Sequence, residues 1–136
     1  MRVVLDTNVI ISGLLIAGSP ADLIRQAWDS RRITLVTSEW QLDELRRVSR
    51  YPHLKKHLTT SEVGRLINRI RRHAEVLESL PTVEASPDPD DNPILATAMT
   101  GKADWLVTGD KNDLLVLYKI NGVRIITARQ LVQLLG

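Results

Sequence analysis

The alternation of short apolar runs with stretches of helical periodicity is the feature that most constrains the fold of this 136-residue chain. Apolar and β-branched runs predict strands at residues 3–5, 33–36, 104–108 and 123–126. Caps and apolar periodicity predict helices that begin after Ser19, Ser38, Thr59 and Thr127, and another over residues 94–100. Strands that alternate with helices indicate an α/β fold with a mainly parallel sheet. We therefore expect one domain over residues 1–136, with about five short central strands flanked by helices.

Two acids directly follow predicted strands. Asp6 ends the first strand, and Asp110 comes after the strand at 104–108 and a single glycine. Ligands of open parallel sheets bind beyond the carboxyl ends of the strands, so we expect both acids on one rim of the sheet. Two further acids are candidates for the same rim. Asp91 precedes a predicted helix start, and Glu44 lies in the helix after the second strand.

Carboxylates that converge without a base between them repel each other, and a divalent cation removes that repulsion. Oxygen ligands favour Mg²⁺ or Mn²⁺ over zinc. Thr7 and Asn8, which follow Asp6, are candidates for orienting its carboxylate or lining the site. The chain has no cysteine, which excludes disulfides, thiolate zinc sites and cysteine nucleophiles.

Each of these acids except Asp6 also has an interpretation without a metal. Asp91 is then a helix cap, Asp110 begins a turn, and Glu44 pairs with a neighbouring arginine on the helix surface. Turn formation is also the interpretation of two other acids, Asp88 and Asp90.

The charge is unevenly distributed along the chain, although the net charge is only +2. Residues 46–73, the basic segment, carry nine Lys and Arg against one acid, or +8. Residues 84–113 carry seven acids against two lysines, or −5. We expect the acids to hold a cation and the basic segment to hold a polyanion. The simpler alternative is a solvated helix face and an acidic loop.

Taken together, the motifs resemble the PIN-domain nucleases, among them the VapC-like toxins of toxin–antitoxin pairs. The resemblance rests on Glu44 in its helix and on three motifs: Leu-Asp-Thr-Asn-Val at 5–9, Asp-Asn-Pro-Ile-Leu-Ala-Thr-Ala at 91–98 and Leu-Val-Thr-Gly-Asp at 106–110. Their order and spacing agree with the family over essentially the whole chain.

This resemblance implies a metal-dependent endoribonuclease that uses Mg²⁺ or Mn²⁺, a homodimer silenced by an antitoxin protein. The implied catalytic and metal-binding residues are Asp6, Glu44, Asp91 and Asp110. Thr108 commonly accompanies the last acid, and Asp113, one residue farther along than usual, is the candidate for an additional acid. The basic segment lies outside the family signature. We expect it to bind the RNA backbone through Arg46, Arg47, Arg50, Arg65, Arg69 and Arg72, the last three spaced to share one side of a helix.

Two alternatives to the nuclease remain. One is a non-catalytic module on the same scaffold that binds RNA or a partner protein. The other is a phosphotransfer domain. A phosphatase of that class needs a second aspartate where this chain has Asn8, and a receiver needs a second acid beside Asp6 and a late lysine, for which Lys111 is the candidate.

No apolar stretch approaches the ~20 residues of a membrane span, and the first residues lack the apolar run of a secretory signal. These features predict a soluble, cytoplasmic protein with no membrane partner. The three tryptophans fall on apolar faces and are interpreted as core residues, with stacking of one of them on an RNA base as the alternative: Trp28, Trp40 and Trp105.

Overall fold

The computed structural model describes residues 1–110 and 112–136; Lys111, the candidate for a receiver lysine, lies outside the described residues. The strands in these ranges are β1 (Arg2–Leu5), β2 (Thr34–Ser38), β3 (Glu75–Leu77), β4 (Trp105–Val107), β5 (Lys119–Ile120) and β6 (Val123–Ile126). The helices are α1 (Thr7–Leu15), α2 (Pro20–Asp29), α3 (Glu39–Ser49), α4 (Pro52–Lys55), α5 (Thr60–His73), α6 (Asn92–Thr100) and α7 (Ala128–Leu135). Two 3₁₀ turns, Pro89–Asp91 and Leu115–Leu117, complete the described elements.

The strands form one sheet in the order β3-β2-β1-β4-β6-β5. All neighbouring strands are parallel except β5 and β6. The expected α/β class with a mainly parallel sheet is therefore confirmed. The expected number of strands is one too low, because the described residues contain six. β3 and β5 have only three and two residues and lie towards the two edges of the sheet, too short to show an alternating pattern.

The helix starts follow from local chemistry. All four predicted caps are confirmed, because each side chain accepts a hydrogen bond from the backbone N–H three residues later: Ser19, Ser38, Thr59 and Thr127. No single helix in the described ranges has the length and apolar character to cross a membrane. Only α1 and α2 taken together, bent by 92° at their break, pass that test, and they do so by length and composition alone.

Helices cover both faces of the sheet, so successive residues of β1 point into two separate cores. Val3 and Leu5 pack with residues of α1, α2, α3, α5 and α7. Val4 packs on the other face with residues of α6. β1 and β4 are the two central strands, and Leu5 lies opposite Val107. Both strands therefore end at the same level, and the residues that follow them start side by side.

Candidate metal centre

A cleft of about 800 Å³ opens at the carboxyl ends of β1 and β4, and we call it the acid cleft. Its lining includes all four acids that the sequence suggests as metal ligands: Asp6, Glu44, Asp91 and Asp110. They come from the end of β1, the middle of α3, the residue before α6 and the loop after β4. The structure therefore brings acids from four separate elements to one rim of the sheet.

Asp6 is held in a fixed orientation by the pairing of β1 with β4. Its backbone N–H donates to Val107 O at 2.8 Å. Its Oδ1 accepts from the N–H of Thr7 and its Oδ2 from the hydroxyl of Thr108, both at 2.8 Å. Burial raises the pKa of Asp6, the hydrogen bonds from Thr108 and Thr7 oppose that increase, and the charge of Asp110 adds to it.

Thr108 links two of the acids through a single hydroxyl. Its side chain is buried, and the Oγ1 that donates to Asp6 also accepts from the N–H of Asp110 at 3.0 Å. Asp110 in turn accepts at Oδ1 from the N–H groups of Asn112, at 3.1 Å, and Asp113, at 3.0 Å. Asp110 therefore forms the turn that the simpler interpretation predicts, and it also faces the acid cleft.

Asp91 stands at the start of α6, but its carboxylate makes no capping hydrogen bond to that helix. Burial raises its pKa from 3.8 to about 7, together with the contact and charge of Asp110 and the charges of Asp88 and Asp6. Its Oδ2 is buried and has no hydrogen-bond partner among the described residues. Such an oxygen carries an uncompensated desolvation penalty, which a cation at that position would remove.

Glu44 reaches the cleft from the middle of α3. Burial raises its pKa, the Thr7 hydroxyl lowers it, the charge of Asp6 raises it and that of Arg47 lowers it. No salt bridge joins Glu44 to Arg46 or Arg47 in the described part of the chain, so its surface pairing is not formed. Thr7 Oγ1 is buried beside the Glu44 carboxylate and has no other hydrogen-bond partner among the described residues.

A second group of acids adjoins the cleft. One carboxylate oxygen each of Asp88, Asp91 and Asp113 lie within 4.8 Å of one another. Asp88 accepts from the backbone N–H two residues on, at 3.0 Å, as expected of a turn former. Burial and the charges of Asp110 and Asp88 raise the pKa of Asp113. Asp113 thus lies next to Asp91 but outside the lining of the acid cleft, whereas Asn8 is part of that lining.

The ligand atoms that converge here are all oxygens, the donor set that Mg²⁺ and Mn²⁺ prefer. Three of the four carboxylates, those of Asp6, Glu44 and Asp91, have raised pKa values, and in each case burial is the largest cause. Together with the unpartnered Asp91 Oδ2, this pattern fits a cation site. A bound divalent ion would favour the ionised carboxylates that burial and mutual repulsion disfavour.

Among the six arginines expected to contact RNA, Arg47 is the one found in the described lining of the acid cleft. It donates from Nη1 to the hydroxyl of Tyr51 at 2.9 Å. Arg69 is engaged elsewhere, in a salt bridge with Asp29 and over the ring of Trp28 at 4.7 Å. Of these two arginines, only Arg47 therefore lies beside the acids.

The other four arginines differ in whether hydrogen bonds or salt bridges already engage their side chains. Arg50 donates to the carbonyl of Leu58 and to the hydroxyl of Thr60, so it ties the end of α3 to the start of α5. The other three are exposed on the surface: Arg46, Arg65 and Arg72. Of these, Arg46 forms a salt bridge with Asp43 at 3.5 Å. Of the three arginines predicted to share one side of α5, Arg69 is paired with Asp29 of α2.

Trp40, which the sequence predicts to be a core residue, packs partly against the core under α6 and also lines the acid cleft. Trp28 is 8% exposed and is a core residue as expected. Trp40 is half-buried and lines the acid cleft, one helical turn before Glu44 on α3. The sequence signal was the spacing of four between a tryptophan and a candidate ligand, which puts both side chains on one helix face.

Comparisons with known proteins give two matches. A family model described as PIN domain matches residues 2–112. A chain in the crystal structure of VapBC2 from Rickettsia felis bound to a DNA fragment from their promoter is similar to this one, with a TM-score of 0.59 and 13% sequence identity. The similarity covers 92% of this chain and 97% of that chain, and at such low identity it concerns the fold. No curated protein sequence matches.

Proposed function

This chain belongs to the PIN-domain family, and from that premise we propose that it is a metal-dependent endoribonuclease that cleaves phosphodiester bonds in RNA. PIN domains are generally nucleases. The observation that carries the proposal is the buried, unpartnered Asp91 Oδ2 in a cleft lined by four further carboxylates. Acids arranged in this way repel one another unless a cation or protons lie between them.

The residues that would hold Mg²⁺ or Mn²⁺ are Asp6, Glu44, Asp91 and Asp110. Such an ion, when bound, supplies an acidified water and offsets the charge that develops on the phosphoryl oxygens. The protein itself orients these carboxylates. Thr108 fixes Asp6 and Asp110 relative to each other, because its hydroxyl donates to the Asp6 carboxylate and accepts from the Asp110 backbone N–H.

Glu44 is suited to hold the attacking water and to take its proton, because burial raises the pKa of its carboxyl above the ordinary value. Arg47, one turn farther along α3, is suited to bind a phosphate of the substrate at the cleft. The exposed arginines of the basic segment would follow the RNA backbone, which gives affinity without sequence information.

We further propose that this nuclease is the toxin of a toxin–antitoxin pair, a cytoplasmic homodimer inhibited by an antitoxin protein. The support is its fold, which it shares with a chain of the VapBC2 complex. A small reading frame directly upstream that encodes a DNA-binding protein, and co-purification of the two products, are the expected results. Light scattering that shows a monomer, or the lack of such a reading frame, would remove this part of the proposal and leave the nuclease.

The nuclease is tested with purified protein that is first stripped of metal with EDTA. End-labelled RNA is then incubated with or without added Mn²⁺ or Mg²⁺. We expect cleavage only with the ion, and a loss on the order of 100-fold or more in Asp6→Asn and Asp110→Asn. The matched control is Asp43→Asn, the same chemical change one residue before Glu44 at a side chain that is 76% exposed, and it should cleave like the wild type.

Circular dichroism and thermal melting show whether the variants fold. Unchanged metal-dependent cleavage by a well-folded Asp6→Asn protein would contradict the proposed site. Tight RNA binding with no product in Mn²⁺ would support the non-catalytic module instead, and lasting phosphorylation by acetyl phosphate would support a phosphotransfer domain.

A further inference from the structure

A second cavity, of about 750 Å³, opens beside the acid cleft, and we call it the side pocket. It lies between the first turn of α3, the segment from residue 78 to residue 86, and the start of α6. Three residues line both the side pocket and the acid cleft: Trp40, Pro89 and Pro93. The two cavities are therefore adjacent, and a substrate bound at the acids lies next to the side pocket.

The wall of the side pocket is fixed to the same helix start as the acids. Asn92 accepts at Oδ1 from the backbone N–H groups of Ala85, at 3.1 Å, and Ser86, at 2.9 Å. Ala85 also packs, together with Val83 and Trp40, against the core under α6. Because Asn92 directly follows Asp91, the pocket wall and the candidate metal ligand have a defined relative position. The pocket is preformed, as small-molecule sites usually are.

The chemistry of the pocket favours a flat, uncharged group. Its lining is mostly apolar, with Trp40, Leu80 and Val83 among its residues. Glu78 and Glu84 are the charged residues of the described lining, and none of the described lining residues is basic. A phosphate would be repelled there, whereas in the acid cleft a divalent ion on the carboxylates, together with Arg47, would attract one. Aromatic and apolar walls beside a phosphate-binding cleft suit the base of a nucleotide.

We propose that the side pocket binds one unpaired nucleobase of the substrate, from a nucleotide next to the scissile phosphate, and that the Trp40 indole stacks on it. This inference rests on the proposed ribonuclease function. Trp40 and Glu44 are four residues apart on α3, so their Cβ atoms are about 6 Å apart. A base on Trp40 is therefore a near neighbour of a phosphate held at the acids, and Trp40 is a substrate-binding residue of the cleavage.

The test pairs changes in the protein with changes in the RNA. A single-stranded RNA oligonucleotide that the wild type cleaves in Mn²⁺ is selected from a degenerate pool. It is then resynthesised with an abasic ribose at each of the two positions that flank the cut. At one position, we expect the abasic substrate to be cleaved roughly 5- to 150-fold more slowly by the wild type, the range for losing one base–aromatic stack.

Trp40→Leu keeps an apolar side chain but removes the aromatic face. It should cleave the intact RNA more slowly by a similar factor and lose about twofold or less on the abasic RNA, since the stack is already gone. Trp40→Phe should restore most of the rate and of the sensitivity to the abasic site. The matched control is Trp105→Leu, because Trp105 lines a different cavity beside Arg124, and it should respond like the wild type.

Equal slowing of the wild type and Trp40→Leu by the abasic site, or no slowing of the wild type at either position, would overturn the base pocket and leave the nuclease intact. If Trp40→Leu does not fold, tryptophan fluorescence without added metal decides: the intact RNA should quench the wild type more than it quenches Trp40→Phe, and equal quenching of the two would overturn the base pocket. Failure of the wild type to cleave any RNA of the pool in Mn²⁺ would overturn the nuclease, and the base pocket with it.

Discussion

Replacement of Asp91 by asparagine should stabilise the metal-free protein while it removes a proposed metal ligand. The carboxyl of Asp91 has a pKa of about 7 instead of 3.8, because it is buried and faces other acids. A difference of about three pKa units corresponds to roughly 4 kcal/mol as an upper limit. Solvent screening of a partly exposed group and the loss of a negative charge at a helix start reduce the expected gain to about 1–2 kcal/mol.

The sign of this effect depends on pH. Below about pH 3.8 the Asp91 carboxyl is protonated in both the folded and the unfolded protein, so it does not affect the free energy of unfolding. As the pH rises, the unfolded chain ionises first, and the folded state loses relative stability until the pH passes about 7. The advantage of Asp91→Asn should therefore be complete at pH 8 and shrink towards pH 4.

The assay is thermal unfolding in EDTA at pH 8 and pH 5, followed by titration with Mn²⁺. Asp91→Asn should melt about 3–8 °C above the wild type at pH 8, with a smaller difference at pH 5. Mn²⁺ should raise the midpoint of the wild type more than that of the variant, since a ligand stabilises only the state that binds it. Asp43→Asn, at an exposed acid outside the acid cleft, is the control. A metal-free Asp91→Asn protein that melts below the wild type at pH 8 would refute the reasoning.

Three further predictions concern Thr108, the glycine at the end of α6 and Arg47. Thr108→Val should lower the free energy of unfolding in urea by about 1–3 kcal/mol, because the two acids that share its buried hydroxyl lose that bond. Gly101→Ala should lower the free energy of unfolding in urea by about 1–3 kcal/mol, since its new Cβ would lie 2.5 Å from Val36 Cγ1. Gly64→Ala, with open space in α5, should raise that free energy. Arg47→Gln should lower the salt dependence of single-stranded RNA binding by about 0.7 in the log–log slope, measured by fluorescence anisotropy.

The parts of the fold that the sequence predicts correctly are those that depend on neighbours in the chain. A cap such as Ser38 bonds to a backbone N–H three residues away, so its pattern is visible in a short window. β3 is different. Its residues are only partly buried or exposed, and it exists because β2 offers an unpaired edge. Pairing of this kind depends on partners far along the chain, which no local pattern reports.

The same distinction separates the acids from the arginines. Asp6 and Asp110 follow strands, and parallel strands end at a common edge, so topology alone predicts their proximity. No residue near Arg69 in the sequence predicts its salt bridge with Asp29, because that salt bridge requires the packing of α5 near α2. Charge counting therefore predicts a basic segment but not which of its side chains stay free for a phosphate.

The position of the acids on the sheet explains how the fold tolerates them. Asp6 and Asp110 follow the two central strands, in which Val4 and Leu106 are fully buried. These strands are held by both neighbours and by two cores, so the repulsion at their ends does not separate them. The same rigidity keeps the acids from moving apart to lower that repulsion. A cation or a proton is then the remaining way to reduce it, which is why we propose a cation site at these acids and not a solvated surface.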